Sequence, residues 1–369
     1  MPKHTVNDAG EIDERNDVTL AGLNHKMGFR GSTNTALNFG DGPHTPGGAP
    51  GAIGYLVGEQ HKGLFYMFHM MNEARIGVGL IATALGYTGY LQSLEYARGR
   101  LQGRTASAKD PSSPQAAIID HADVRRMLIA QKSYAEGALA LGLYCSDLVD
   151  RQDTAVDDAE RERFRLLLDV LTPIAKSWPS QWCLAANDLA IQVHGGAGYT
   201  RDYNVEQLYR DNRLNMIHEG THGIQGLDLL GRKVVMENGA ALDALTETVR
   251  ASLERAKSVG DESLAAFAAE IGVRLDRVLE VTRTIWDGTS PDVALANASI
   301  YLEAVGHLVL AWIWLEQSLA ALGKEGSFYE GKHVAAAYFR RYELPKIDAQ
   351  LDLLASLDRL TVDLDPAWF

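Results

Sequence analysis

Two cysteines in 369 residues, Cys145 and Cys183, are too few for a disulfide framework, and no C-x-x-C spacing joins them. Their scarcity points to two buried thiols in a reducing compartment. Also missing is any run of Lys and Arg interleaved with aromatics. With 35 basic against 48 acidic residues the net charge is -13, so a nucleic-acid groove is not expected and any phosphate binding must be local. The start, MPKHTVNDAGEIDERND, has no apolar core of a signal peptide, and no uninterrupted apolar run reaches the length of a membrane span. The expectation is a soluble, cytoplasmic protein. The length suffices for one large domain and a smaller one, or two of similar size.

Residues 1–58 are rich in Gly, Pro, Asn and Thr, with short apolar pieces, Val18-Thr19-Leu20 and Ala36-Leu37-Asn38-Phe39, that read as brief strands. A few such short strands do not make an independent sheet, so this region reads as the tail of a β domain. From Glu59 the spacing becomes helical: Leu64, Met67, Phe68, Met71, Ala74, Arg75, Val78 and Ile81 follow three- and four-residue steps. One long helix is predicted to about Gly103, with a break near Gly86. A loop over 105–114 follows. Asp120-His121-Ala122-Asp123 is read as the cap of a helix to about Asp150. Further helices are predicted over 160–171, ended by Thr172-Pro173, over 179–193, stopped by Gly195-Gly196, and over about 205–212. Beyond Gly231 four more are expected, at roughly 237–258, 262–286, 291–322 and 332–360, with Ser290-Pro291 as a cap and first-turn pair. Their Ala/Leu/Val stripes indicate mutual packing, and no catalytic constellation lies among them.

The run NMIHEGTHGIQ, residues 215–225, contains a literal H-E-x-x-H, His218-Glu219-x-x-His222. A zinc hydrolase needs those imidazoles on one face of a helix and a third ligand downstream. Gly220 and Gly223 together cost a helix roughly 2 kcal/mol of propensity, so a turn is predicted instead. The position three after His222, which a metzincin continuation would fill with glycine, is Gln225. Zinc hydrolysis stands as the third reading, with two loop histidines as the bland one. In Gln192-Val193-His194-Gly195-Gly196-Ala197-Gly198 the glycines read either as a helix stop or as backbone left bare for a phosphate or cofactor to approach. Arg210, Asp211 and Arg213 read as a solvated face or an internal salt bridge.

Taken together, Q-x-x-G-G-x-G from Gln192, E-Q-x-Y-R-D from Glu206 and E-G-T-x-x-I-Q from Glu219 resemble the signature of the flavin-dependent acyl-CoA dehydrogenases. Upstream, HKMGFRGSTNTALNFGD (25–41) resembles that family's last β-domain strands, while GYLVGEQHKGL (54–64), MMNEARIGVG (70–79) and YARGRLQGR (96–104) are similar to the first helices of its C-terminal bundle. The resemblance covers most of residues 17–235. The C-terminal extension is similar to the long subfamily that includes 3-methylmercaptopropionyl-CoA dehydrogenase. The implied fold is mainly α: residues 1–58 as a remnant of the middle β domain, 59–235 as the catalytic helical bundle, and 236–369 as an extra four-helix domain.

The resemblance also implies a reaction, α,β-dehydrogenation of an acyl-CoA thioester. A thioester α-C–H is a weak acid, so a carboxylate must meet it in a water-poor pocket while flavin N5 accepts the β-hydride. Glu219 matches the family's base. Thr221 matches a residue contacting the flavin's ribityl or diphosphate part. Gln192, Gly195 and Gly196 match the segment that reaches the FAD of a neighbouring subunit, and Arg100 matches the arginine that pairs with the FAD diphosphate. Arg75 and Gly220 match substrate-side positions, Arg75 having an internal salt bridge as its other reading. Implied partners are acyl-CoA, an electron-transfer flavoprotein as electron acceptor, and further copies in a homodimer or higher oligomer.

Three positions depart from the family pattern: Gly103 replaces a frequent aromatic, His218 a frequent tyrosine, and His222 a frequent asparagine. Against the long subfamily, the N-terminal helical domain and most of the β domain are absent from this sequence, so a separate chain supplying them is one expectation. A catalytically incomplete fragment or structural subunit is the rival to an enzyme.

Overall fold

The computed structural model describes residues 1–108, 110 and 112–369, so positions 109 and 111 of the expected 105–114 loop lie outside the described residues. The chain is mainly helical and divides into two compact units, Met1–Asn72 and Glu73–Phe369. The boundary expected after Gly58 falls inside the first unit.

That first unit holds two antiparallel hairpins, β1 (His4–Val6) with β2 (Ile12–Arg15) and β3 (Val18–Leu23) with β4 (Thr35–Phe39). The pieces read as strands at 18–20 and 36–39 pair with each other, Val18 opposite Phe39. β1 and β2 carry too few apolar residues to show a strand pattern. Side chains fasten them instead: Glu14 N donates to Thr5 Oγ1 at 3.1 Å, and Asn7 Oδ1 accepts from Ala9 N and Glu11 N. The fully buried Asn16 ties the hairpins to the following loop, its Nδ2 donating to Pro2 O and Ile53 O and its Oδ1 accepting from Ile53 N.

Helix α1 (Gly63–Gly99) is continuous, so the break expected near Gly86 does not occur. Gly79, Gly86 and Gly89 instead let α1 approach α3 (Asp158–His194) closely. A Cβ on Gly79 would overlap Ala175 O, and one on Gly86 would lie 2.6 Å from Cys183 Cβ. Helix α3 is likewise unbroken, although its sequence reads as two helices separated by proline. Pro173 and Pro179 remove two N–H donors, but residues 170–180 are all buried and their packing outweighs the local preference. Thr172 and Ser180 hydroxyls add bonds back to Leu168 O and Lys176 O.

Helix α2 (Ala122–Thr154) starts after His121, whose side chain makes no capping bond, so the expected Asp/His cap is absent. α4 (Val205–Asn212) and α5 (His222–Asp228) are short. The extension contains α6 (Ala240–Ser258), α7 (Glu262–Trp286), α8 (Pro291–Ala294), α9 (Ala298–Ala321), α10 (Ser327–Tyr338), α11 (Lys346–Ala355) and α12 (Leu360–Asp363). The expected 291–322 and 332–360 helices are thus each interrupted. Ser290 does precede the Pro291 turn, though without a side-chain bond.

One apolar core runs from Ile76 through α2, α3 and α9 to Leu354, joining bundle and extension. Both cysteines are free and fully buried, and burial pushes their thiols up to about 12. Among the described residues α9 alone has the length and apolar composition to cross a membrane; 83% of its most apolar stretch is buried inside the fold, which makes it the core helix.

Candidate active site

A buried polar chain leads from α1 to the Glu219 turn. Asn187 Nδ2 donates to Leu85 O at 2.9 Å, and Asn212 Nδ2 donates to Asn187 Oδ1 at 2.7 Å. Asn215 Nδ2 then donates to Asn212 Oδ1, and Asn215 Oδ1 faces His218 Nε2 at 3.0 Å. An amide oxygen only accepts, so His218 carries its proton on Nε2. Asn187, Asn212 and Asn215 are all fully buried.

The turn is non-helical at Glu219 and Gly220, as expected, whereas Gly223, also expected to oppose a helix, lies inside α5. Glu219 has φ 53° and Gly220 φ 88°, and Thr221 caps α5 by accepting from Ile224 N at 3.3 Å. Glu219 is exposed. Beneath it, the fully buried Lys176 of α3 donates from Nζ to Asn215 O and Gly220 O, each at 2.7 Å, and Gln225 Nε2 donates to Glu219 O at 3.1 Å. Burial and the Arg75 charge bring Lys176 down to about 8, against the opposing pull of Glu219. Burial, then the Lys176 charge, hold His218 below its usual value, and burial does the same for His222.

Arg75 is 6% exposed and pairs with Asp228 of α5 at 2.9 Å, so of its two readings the internal ion pair is present. Its Nε, with His222 Nδ1 and Gln225 Oε1, is buried without a hydrogen-bond partner among the described residues. Helix α5 rests on the extension: a Cβ on Gly226 would lie 2.7 Å from Ala298 O at the start of α9.

The second group of expected site residues gathers at the far end of α3. Lys176 and His194 are 18 residues apart on this helix, a rise of about 27 Å. Here Gln192, Gly195 and Gly196 are exposed; Gly195 caps α3 at φ 60°, and a Cβ on either glycine would meet nothing within 4 Å. His194 stacks on Tyr96 at 4.3 Å, with Tyr203 edge-on to both. These aromatics line a cavity of about 530 Å³ together with Arg100, Glu95 and Asp202. Arg100 and the end of α3 therefore belong together, while Glu219, Thr221, Gly220 and Arg75 form a separate group.

The zinc reading does not fit this geometry. The motif straddles a turn and a helix start, and among the described residues no group of three His, Cys, Asp or Glu side chains is placed to hold a metal.

Lys176, Asp228 and the asparagine chain escaped the sequence reading. A lone lysine in the apolar run VLTPIAKSW was the available signal for Lys176; nothing local marks Asn187 as a partner of Asn212.

A mainly helical bundle with a charged turn packed against the middle of α3 and an open glycine cap at its C-terminal end shares the C-terminal helical architecture of the acyl-CoA dehydrogenases. The family model described as "Acyl-CoA dehydrogenase, C-terminal domain" matches residues 61–235, and that described as "Acetyl-CoA dehydrogenase C-terminal like" matches 241–365. The chain belongs to the acyl-CoA dehydrogenase family. It is 33% identical to the broad-specificity linear acyl-CoA dehydrogenase FadE5 of Mycobacterium tuberculosis, over 98% of this chain and 61% of the relative. It is 32% identical to the 3-methylmercaptopropionyl-CoA dehydrogenase of Ruegeria pomeroyi, over 95% and 58%. The crystal structure of a Bacillus anthracis acyl-CoA dehydrogenase complexed with FAD shares the fold, with a TM-score of 0.73 at 19% identity over 97% of this chain and 63% of that one. The chain thus spans about three fifths of the length of the curated relatives it matches.

Proposed function

We propose that this chain carries the base and part of the cofactor site of an FAD-dependent acyl-CoA dehydrogenase. The observation that carries the reading is Glu219, in the family's E-G-T position, projecting from a turn whose backbone is held by Lys176 and Gln225. A carboxylate so placed takes the α-proton of a bound thioester. FAD, when bound, supplies the hydride acceptor.

The chain's own residues fit that cofactor. Arg100 offers a permanent cation to a diphosphate, Gly195 and Gly196 leave their backbone open to close approach, and the Tyr96–His194 stack supplies an aromatic wall to the same cavity. Gln192 lies one turn before those glycines, and Thr221 adjoins the base. The separation of this group from Glu219 along α3 supports a cofactor shared between copies of the chain, each serving its neighbour's base, and hence a homo-oligomer. An electron-transfer flavoprotein is the electron acceptor in this reading.

Adding an acyl-CoA to the FAD-loaded protein under anaerobic conditions is expected to bleach the flavin, and Glu219→Gln to abolish the bleaching. A Gln variant that keeps its FAD and is reduced at the normal rate overturns the assignment.

A further inference from the structure

We infer that Lys176 is the positioning residue for the Glu219 turn, its buried ammonium clamping the carbonyls of Asn215 and Gly220 and thereby fixing the direction in which the Glu219 carboxylate leaves the backbone. This rests on the reading of Glu219 as base.

The turn needs such a clamp. A non-glycine residue at φ 53° is disfavoured by about 1 kcal/mol or more and persists only where the surroundings hold it. Among the described residues no backbone N–H of a helix or sheet donates to the carbonyls of Asn215, Glu219 and Gly220; buried side chains do, Lys176 to the outer two and Gln225 to the middle one. The two Lys176 bonds bracket residues 216–219, so the backbone between them cannot rotate without breaking one. Lysine suits the task because its three donors radiate from one point, whereas methionine of similar length would leave both carbonyls without a donor. Lys176 in turn stands on the central, buried part of α3.

Arg75 from α1, His218 and Glu219 from the turn and His222 from α5 interact with the ammonium, while Asp228 of α5 pairs with Arg75 and Glu303 of α9 acts on His222. The ammonium also opposes protonation of His218, which gives a readout independent of turnover.

The test compares wild type, Lys176→Met, Lys176→Gln and Glu219→Gln as FAD-loaded protein. For Lys176→Met, flavin reduction at saturating acyl-CoA is expected to slow about tenfold or more, because a misplaced base costs rate steeply. Acyl-CoA affinity should change by less than about threefold, the signature of an interaction that acts on the reacting geometry. Lys176→Gln, which keeps a donor, should recover part of the rate. Amides 217–221 should exchange faster in Lys176→Met, and His218 should titrate at higher pH. Normal reduction in Lys176→Met alongside a dead Glu219→Gln overturns the Lys176 assignment alone, whereas a fully active Glu219→Gln overturns the assignment of the base. If neither Lys176 variant folds, exchange in the wild type decides: amides 217–221 protected far beyond free-loop rates support the clamp, and free-loop rates overturn it.

Discussion

Tyr134 of α2 donates its hydroxyl to Glu343 Oε1 at 2.8 Å, across 209 positions of sequence, in the buried seam where the extension meets the bundle. Tyr338 also reaches Oε1, and Lys346 Nζ donates to Oε2 at 2.6 Å. His307, itself bonded by Trp178 Nε1, lies 3.6 Å from the same carboxylate. Burial works to raise the Glu343 pKa, but these donors outweigh it and hold the carboxyl below its ordinary value of 4.5. The stabilisation is therefore complete above pH 4.5 and is lost as the pH falls through the lower folded value. Glu343→Ala strands several buried donors and should cost about 3 kcal/mol in urea unfolding at pH 7, with the loss relative to wild type shrinking toward pH 3.5. A loss that stays constant down to that pH contradicts this account.

The glycines of α1 and of the α3 cap make opposite predictions. Gly79→Ala drives a methyl into Ala175 O and should destabilise by about 1–3 kcal/mol, read as a fall in the urea midpoint. Gly196→Ala meets nothing within 4 Å and is not at positive φ, so stability should stay within about 0.5 kcal/mol. Under the proposed function the same methyl obstructs approach to the backbone, so the purified variant should retain less flavin per chain. Full flavin content in Gly196→Ala would count against a cofactor role for this cap.

His194, His218 and His222 are each held below the usual imidazole pKa of 6.5, chiefly by burial. Their unfolded forms bind protons that the folded rings resist, so stability falls as the pH drops below 6.5. The urea midpoint should be lower at pH 5.5 than at pH 7.5, and His218→Asn should reduce the difference. An unchanged midpoint would show that the rings are solvated in the folded protein.

Arg75 is expected to act on the fold more than on substrate. Arg75→Met leaves Asp228 with Arg232 Nε at 2.7 Å, so the cost should be about 2 kcal/mol, less than for a carboxylate left alone. Removing the Arg75 charge also relieves Lys176, which should then titrate above about 8, as NMR of labelled lysine would detect.

Much of this architecture is legible from residue order. The helical spacing of 59–103, the stop at Gly195 and the non-helical Glu219 turn follow from periodicity and glycine chemistry, both local properties of the chain. The family motifs mark Glu219 and Arg100 for the same reason, since each motif is contiguous. Helix continuity past Gly86, Pro173 and Pro179 was not legible, because burial against α1 and α2 outweighs the local preference for a break. Nor was the grip of Lys176 on Gly220, 44 residues away, or the seam around Glu343. Those arrangements come from packing, which brings distant donors and acceptors into an interior where leaving either unpaired is costly.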